Sequence, residues 1–194
     1  MTGIILCGGQ SSRMGSDKGL LKLEAKTWAQ TAVDKLSTLN IPVKLSVNRQ
    51  QHNDYAEVFT AGDLVVDAAS LQLHGPLLGV LSSHLQYPGE DLFVFACDMP
   101  LIEPALLKEL YTHYEQNPDH DAFVFMNDHE PEPLCAVYTA RGLSTIFGML
   151  QSGNLTKHSM KFMLDHLSIF TVALKEEQKK QFRNFNAHAE LNGL

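Results

Sequence analysis

The chain has 194 residues, 44% of them hydrophobic, which is close to the size of one domain and enough for one substantial core. Fifteen Lys and Arg against 22 Asp and Glu give a formal net charge of -7, which disfavours a polyanion such as nucleic acid as a partner. No apolar run approaches the roughly 18 residues of a membrane span, and the first nine residues lack the basic start and long apolar stretch of a secretion signal. A cytoplasmic protein without a membrane partner is expected.

Thr2 to Cys7 reads as a buried strand, and Gly8-Gly9-Gln10-Ser11-Ser12-Arg13-Met14-Gly15-Ser16-Asp17-Lys18 follows it directly. Glycines let such a loop turn sharply and approach a ligand, its amides suit phosphate oxygens, and Arg13 and Lys18 add positive charge. Neither the GxxxxGK[ST] nor the GxGxxG template fits, so the spacing alone leaves open a plain turn.

Lys44 to Val47 and Leu64 to Val66 read as short strands, followed by Asn48 and Asp67. Gly75-Pro76 suits the start of a helix, along which Leu77, Leu78, Leu81 and Leu85 form a core stripe. Leu92 to Ala96 is another strand. It runs into Cys97-Asp98-Met99-Pro100, where the proline stops further pairing and leaves Asp98 at a carboxyl end, fit for a turn or for a metal ligand.

From Glu103 to Gln116, Leu106, Leu107, Leu110, Tyr111 and Tyr114 recur at helical spacing, and Ala122 to Met126 and Leu134 to Tyr138 read as two more strands. Lys175 to Arg183 reads as a solvated surface helix. Cys7, Cys97 and Cys135 are too separated for a disulfide framework or a CxxC site and are expected to be small buried residues. His113, His120, His129 and His158 are expected at element ends or on the surface, and the histidine spacing offers no metal-ligand pair.

The alternation of strands and helices predicts an α/β fold: a Rossmann-like three-layer sandwich with a mostly parallel sheet and helices on both faces, in a single domain over residues 1–194. In such sheets ligands bind beyond the carboxyl ends of the strands. The residues after Cys7, Val47, Val66 and Ala96 are therefore the candidate site.

Leu6 to Leu21 resembles the LxGGxSxRMGxDKxxL signature of the MobA-type nucleotidyltransferases, the molybdenum cofactor guanylyltransferase family, with Cys7 where the family commonly has Ala. Cys97 to Pro100 resembles its CDxP motif, Gly75 to Gly79 its GPLxG motif and Pro133 to Tyr138 its PLxALY strand. The resemblance runs along nearly the whole chain and implies a nucleotide-diphospho-sugar transferase-like fold.

It further implies that Leu6, Cys7, Gly8 and Gly9 cradle guanine and ribose, that Arg13 and Lys18 hold the triphosphate, and that Asp98 binds Mg2+. Asn48 would lie near base or ribose, and Asp67 would contact the nucleotide, although Ala68-Ala69 depart from the more polar family pattern. Asn184 and Asn186 resemble the FxNxNTPEDL element on the acceptor side, with Ala187-His188 replacing its Thr-Pro.

The implied reaction transfers GMP from GTP to molybdopterin, with transient contacts to proteins that deliver molybdopterin or receive the product. CMP transfer, transfer to another small phosphorylated acceptor, and GTP or cofactor binding without catalysis are the alternatives. Gly8 argues for a purine, because the missing methyl makes room at the base-facing loop.

Overall fold

The structure, a computed structural model, describes residues 1–8, 17–23 and 25–183. In the amino-terminal half, strand β1 (Thr2–Leu6) leads into a small hairpin of β2 (Lys22–Leu23) and β3 (Lys26–Thr27), helix α1 (Trp28–Ser37), β4 (Val43–Val47), α2 (His52–Ala56) and β5 (Leu64–Val66). Next come α3 (Pro76–Gln86), β6 (Leu92–Ala96), α4 (Pro104–Gln116), β7 (Ala122–Asn127) and β8 (Glu130–Tyr138). The last elements are α5 (Ala140–Gln151), α6 (Met160–Leu164), β9 (Ile169–Ala173) and α7 (Glu176–Lys179).

Seven strands form one sheet in the order β5-β4-β1-β6-β8-β7-β9. Strands β5, β4, β1 and β6 pair in parallel, as do β7 and β9. Only β8 is reversed, antiparallel to β6 on one side and β7 on the other. Its direction follows from its connection, since Asn127 pairs with Glu130 across the two-residue turn Asp128-His129, and so short a link can join only antiparallel strands. Asp128 takes a positive φ of 56° there, a conformation that Asp tolerates better than most residues.

Strand β8 starts four residues before the expected Leu134, despite Pro131 and Pro133. The prolines are tolerated because the pairing with β6 stops at Cys135, so one side of this segment needs no ladder donors. A register shift between Val124 and Met126 accommodates the other side.

Alternation along the strands feeds two cores. Ile5, Phe93, Phe95, Phe123 and Phe125 face α1, α2 and α4 on one side of the sheet. Ile4, Val94, Val124 and Ala136 face α3, α5 and α6 on the other. The expected layering with helices on both faces is therefore observed, and Leu106, Leu107 and Leu110 are buried as their spacing predicts.

The stripe on α3 differs from the expected one. Its buried row is Leu77, Val80, Leu81 and His84, whereas Leu85 is 39% exposed. At about 100° per residue Leu85 falls past the edge of the face defined by Leu77 and Leu81, and the apolar periphery of His84 fills that place instead. The carboxyl-terminal expectation also needs correction. Only a short α7 forms, and the turn Lys180–Phe182 then drives Phe182 into the core, edge-on to Phe125 with ring centroids 5.3 Å apart. Among the described residues no helix is long and apolar enough to cross a membrane.

Candidate active site

The parallel strands β1, β4, β5 and β6 end at one edge of the sheet, and Gly8, Asn48, Asp67 and Asp98 all lie there. Two adjoining hollows open over this edge and share Leu6, Gly8 and Pro76. The smaller, of about 170 Å³, is bordered by Cys7, Lys18, Gln51 and Asp98. The larger, of about 850 Å³, is bordered by Asn48, Asp67, Leu78 and Gly79. Because β8 runs backwards, it is its early residue Leu134 that reaches the smaller hollow.

The floor is built by close packing of α3 on the sheet. A Cβ on Gly79 would stand 2.4 Å from Oγ of Ser46 and 3.1 Å from Cδ2 of Leu6, so glycine lets the helix come this near without displacing those side chains. Gly75, at φ 69° and ψ -163°, delivers the chain into α3 with Pro76 at its first turn. Oγ of Ser82 on this helix accepts a hydrogen bond from the amide of Ala68 at 2.9 Å, which fixes the loop after β5 in spite of its apolar side chains.

Asp98 follows β6 with Oδ1 buried and without a hydrogen-bond partner. Burial pushes its carboxyl above the usual carboxylate range, while Lys18 and a backbone N–H pull it down. Lys18 and Asp98 are thus brought together from segments 80 positions apart in sequence. Nζ of Lys35 donates to the carbonyl of Pro100 and holds the turn beyond Asp98.

Asp67 continues the ladder of β5, its amide donating to the carbonyl of Val47 at 2.9 Å. Partial burial raises its carboxyl to about 6. Asn48 does serve as a turn residue: Oδ1 accepts from the amides of Gln50 and Gln51 at 2.9 and 3.0 Å. The side chain also borders the larger hollow, so the turn holds it at the site's edge.

Cys7, Cys97 and Cys135 are free and buried, as expected. Gly9 and Arg13 in the loop, and Asn184, Asn186 and Ala187-His188 at the end, lie outside the described residues. Sequence reasoning did not single out Gln51 or Tyr55, whose side chains reach Asp17. It also offered no histidine pair, yet Nδ1 of His74 and Nδ1 of His158 come within 3.3 Å at the rim of the larger hollow.

A hard divalent cation fits the Asp98 position. The donor is a carboxylate oxygen, it is buried with no other partner, and Mg2+ typically takes one or two protein carboxylates and completes its shell with water and substrate phosphates.

A family model described as "MobA-like NTP transferase domain" matches residues 3–167. A protein of Flavobacterium johnsoniae named probable molybdenum cofactor guanylyltransferase is 27% identical over 194 residues, covering 100% of this chain and 96% of the relative. The molybdenum cofactor guanylyltransferase of Campylobacter jejuni is 27% identical over 187 residues, covering 96% and 91%. Among solved structures, molybdopterin-guanine dinucleotide biosynthesis protein A from Archaeoglobus fulgidus superposes with a TM-score of 0.79 at 21% identity, covering 100% of this chain and 96% of that one. This likeness shows the shared fold.

Proposed function

Since the chain belongs to the MobA-like NTP transferase family, we propose that this nucleotidyltransferase carries GMP from GTP to molybdopterin, forming molybdopterin guanine dinucleotide and pyrophosphate. A phosphate oxygen of molybdopterin attacks the α-phosphorus of GTP, and the bond from that phosphorus to the pyrophosphate oxygen breaks. The observation that carries this reading is that Lys18 and Asp98, whose Oδ1 is buried and unpartnered, border one hollow at the edge where Gly8 and Asp67 also lie. It is supported by two relatives of matching length that bear the guanylyltransferase name.

The backbone of Leu6, Cys7, Gly8 and Gly9 cradles the base and ribose, and Asn48 presents its amide toward them. Asp67 is mainly ionised at neutral pH, so its two oxygens accept hydrogen bonds from the N1–H and exocyclic amino group of guanine. The corresponding edge of cytosine or adenine offers only one such donor beside an acceptor, which would face the carboxylate's lone pairs. Asp67 thereby favours GTP.

Lys18 and Arg13 hold the triphosphate and neutralise the charge that grows on the departing pyrophosphate, which is the main contribution a protein makes to phosphoryl transfer. Asp98 holds Mg2+, which when bound supplies positive charge to the phosphate oxygens. Asn184 and Asn186 bind the acceptor, so the whole chain over 1–194 works as one domain. The reaction runs in the cytoplasm, with GTP and molybdopterin as substrates and transient contacts to the proteins that supply molybdopterin or take up the product.

Pyrophosphate release by the purified protein, given metal-loaded molybdopterin and Mg2+ with either GTP or CTP, tests the proposal. Release with GTP alone is expected. Release with CTP would overturn the base assignment, and no release with either would move the function to another acceptor or to binding without turnover.

A further inference from the structure

The carboxylate of Asp17, the residue before Lys18, is gripped from three directions. Its Oδ1 accepts from the amide of Gly19 at 2.8 Å and from the hydroxyl of Tyr55 at 2.9 Å, and its Oδ2 accepts from Nε2 of Gln51. Lys18 itself opens the short turn Lys18–Leu20 that Asp17 caps. A lysine has a long flexible stem, so the accuracy with which its ammonium is placed depends on how firmly its backbone is held.

Gln51 is fully committed to this corner. Nε2 also donates to the carbonyl of Cys7 at 3.0 Å, and Oε1 accepts from the amide of Asn48 at 2.8 Å. The amide can sit only one way round, because a flip would set its N–H groups against the Asn48 N–H and its oxygen against two acceptors. One side chain thus ties the end of β1, the end of β4 and the residue beside Lys18.

Tyr55 completes the clamp from below. Its ring is fully buried and stacked on Phe59 with centroids 5.9 Å apart. Burial and the neighbouring carboxylate keep its hydroxyl protonated, hence a donor to Asp17. The hydroxyl occupies the space where Gly19 lacks a side chain, since a Cβ there would lie 2.1 Å from it.

We propose that Gln51 and Tyr55 are positioning residues for transfer: through Asp17 they fix the backbone at Lys18 so that its ammonium meets the triphosphate beside Asp98. This rests on the reading of Lys18 as the triphosphate-binding cation. Neither residue needs to touch substrate for the effect, because a displacement of about 1 Å in a charged group at a reacting centre can cost about a hundredfold in rate.

The test compares Tyr55→Phe, Gln51→Leu and Lys18→Ala in full-length protein, measuring steady-state GTP turnover with molybdopterin, calorimetric affinity for GTP and for guanosine, and thermal melting. Tyr55→Phe keeps the buried ring and is the variant on which the conclusion stands if Gln51→Leu does not fold. The expected result is a fall of about tenfold or more in kcat for Tyr55→Phe and Gln51→Leu. For Tyr55→Phe, guanosine affinity should stay within about twofold of the native value while GTP affinity falls, and neither change should add to Lys18→Ala.

Guanosine affinity falling in step with GTP affinity in Tyr55→Phe, or an undiminished further loss on top of Lys18→Ala, would overturn the positioning role. If Lys18→Ala is crippled while both other variants turn over normally, the positioning role fails and the reading of Lys18 survives. If Lys18→Ala turns over normally, that reading fails, and this inference with it.

Discussion

A methyl group added to Gly8 would stand 3.9 Å from Oδ2 of Asp67, so the residues that follow β1 and β5 face each other at the same edge of the sheet. That distance is ordinary contact, and Gly8→Ala is expected to fold and melt like the native protein. The methyl would instead take space from a purine. We expect the KM for GTP to rise about tenfold, the scale of one methyl forced into a packed site, with a smaller change for CTP. Equal KM values in variant and native protein would separate Gly8 from base binding.

Asp67 carries a pH dependence with a definite sign. Its carboxyl is raised to about 6 by burial, so the ionised form proposed to accept from guanine is lost as pH falls through about 6, and the KM for GTP should rise there. Asp67→Asn should flatten that rise and narrow the preference for GTP over CTP.

The same raised carboxyl affects stability in the opposite direction. The folded protein binds the Asp67 proton more tightly than the unfolded chain, so this residue's contribution favours folding more as pH falls from about 6 to about 4. Removing the buried charge by Asp67→Asn should therefore raise the melting temperature at about pH 8, with the gain shrinking towards about pH 4. A melting temperature lowered at both pH values would show that Asp67 is held by interactions that favour its charge.

Asp98→Asn is expected to lower turnover by at least about a hundredfold, as on losing a principal electrostatic group, with the fold retained. Oδ1 has no hydrogen bond to lose and burial already opposes the charge, so the melting temperature should not fall. Mn2+ affinity followed by electron paramagnetic resonance, with GTP present, should drop in parallel with turnover. A folded variant with native turnover would remove Asp98 from the reaction.

Gly79→Ala probes the floor of the site. The added Cβ meets Ser46 Oγ at 2.4 Å and Leu6 Cδ2 at 3.1 Å, so those side chains or α3 itself must give way. A loss of about 1 to 3 kcal/mol in denaturant unfolding is expected, together with weaker GTP binding, because Leu6, Ser46 and Gly79 all border the larger hollow. The double variant with Ser46→Ala should recover part of the stability.

Much of this arrangement was readable from local pattern. Strands ending at Asp98, Asp67 and Asn48 announce themselves as short apolar runs cut off by polar or turn residues, and parallel crossover topology then sends all those ends to one edge. The burial of Leu106, Leu107 and Leu110 likewise follows from a helical period alone. On α3 the same reasoning slipped by one position, admitting Leu85 and missing His84, because a histidine with a buried ring reads as polar in sequence. Helices α1 and α5 and strand β9 were not drawn from the sequence at all.

By itself the sequence determined the layered α/β class and the types of residue after each strand, since these depend on backbone period and on the steric needs of single residues. The tertiary structure alone decided that Gln51 and Tyr55 grip Asp17, that Lys18 acts on Asp98, and that His74 meets His158. Those partners lie between 34 and 84 positions apart, a separation at which local periodicity carries no information, and only the tertiary fold brings the members of each pair near one another.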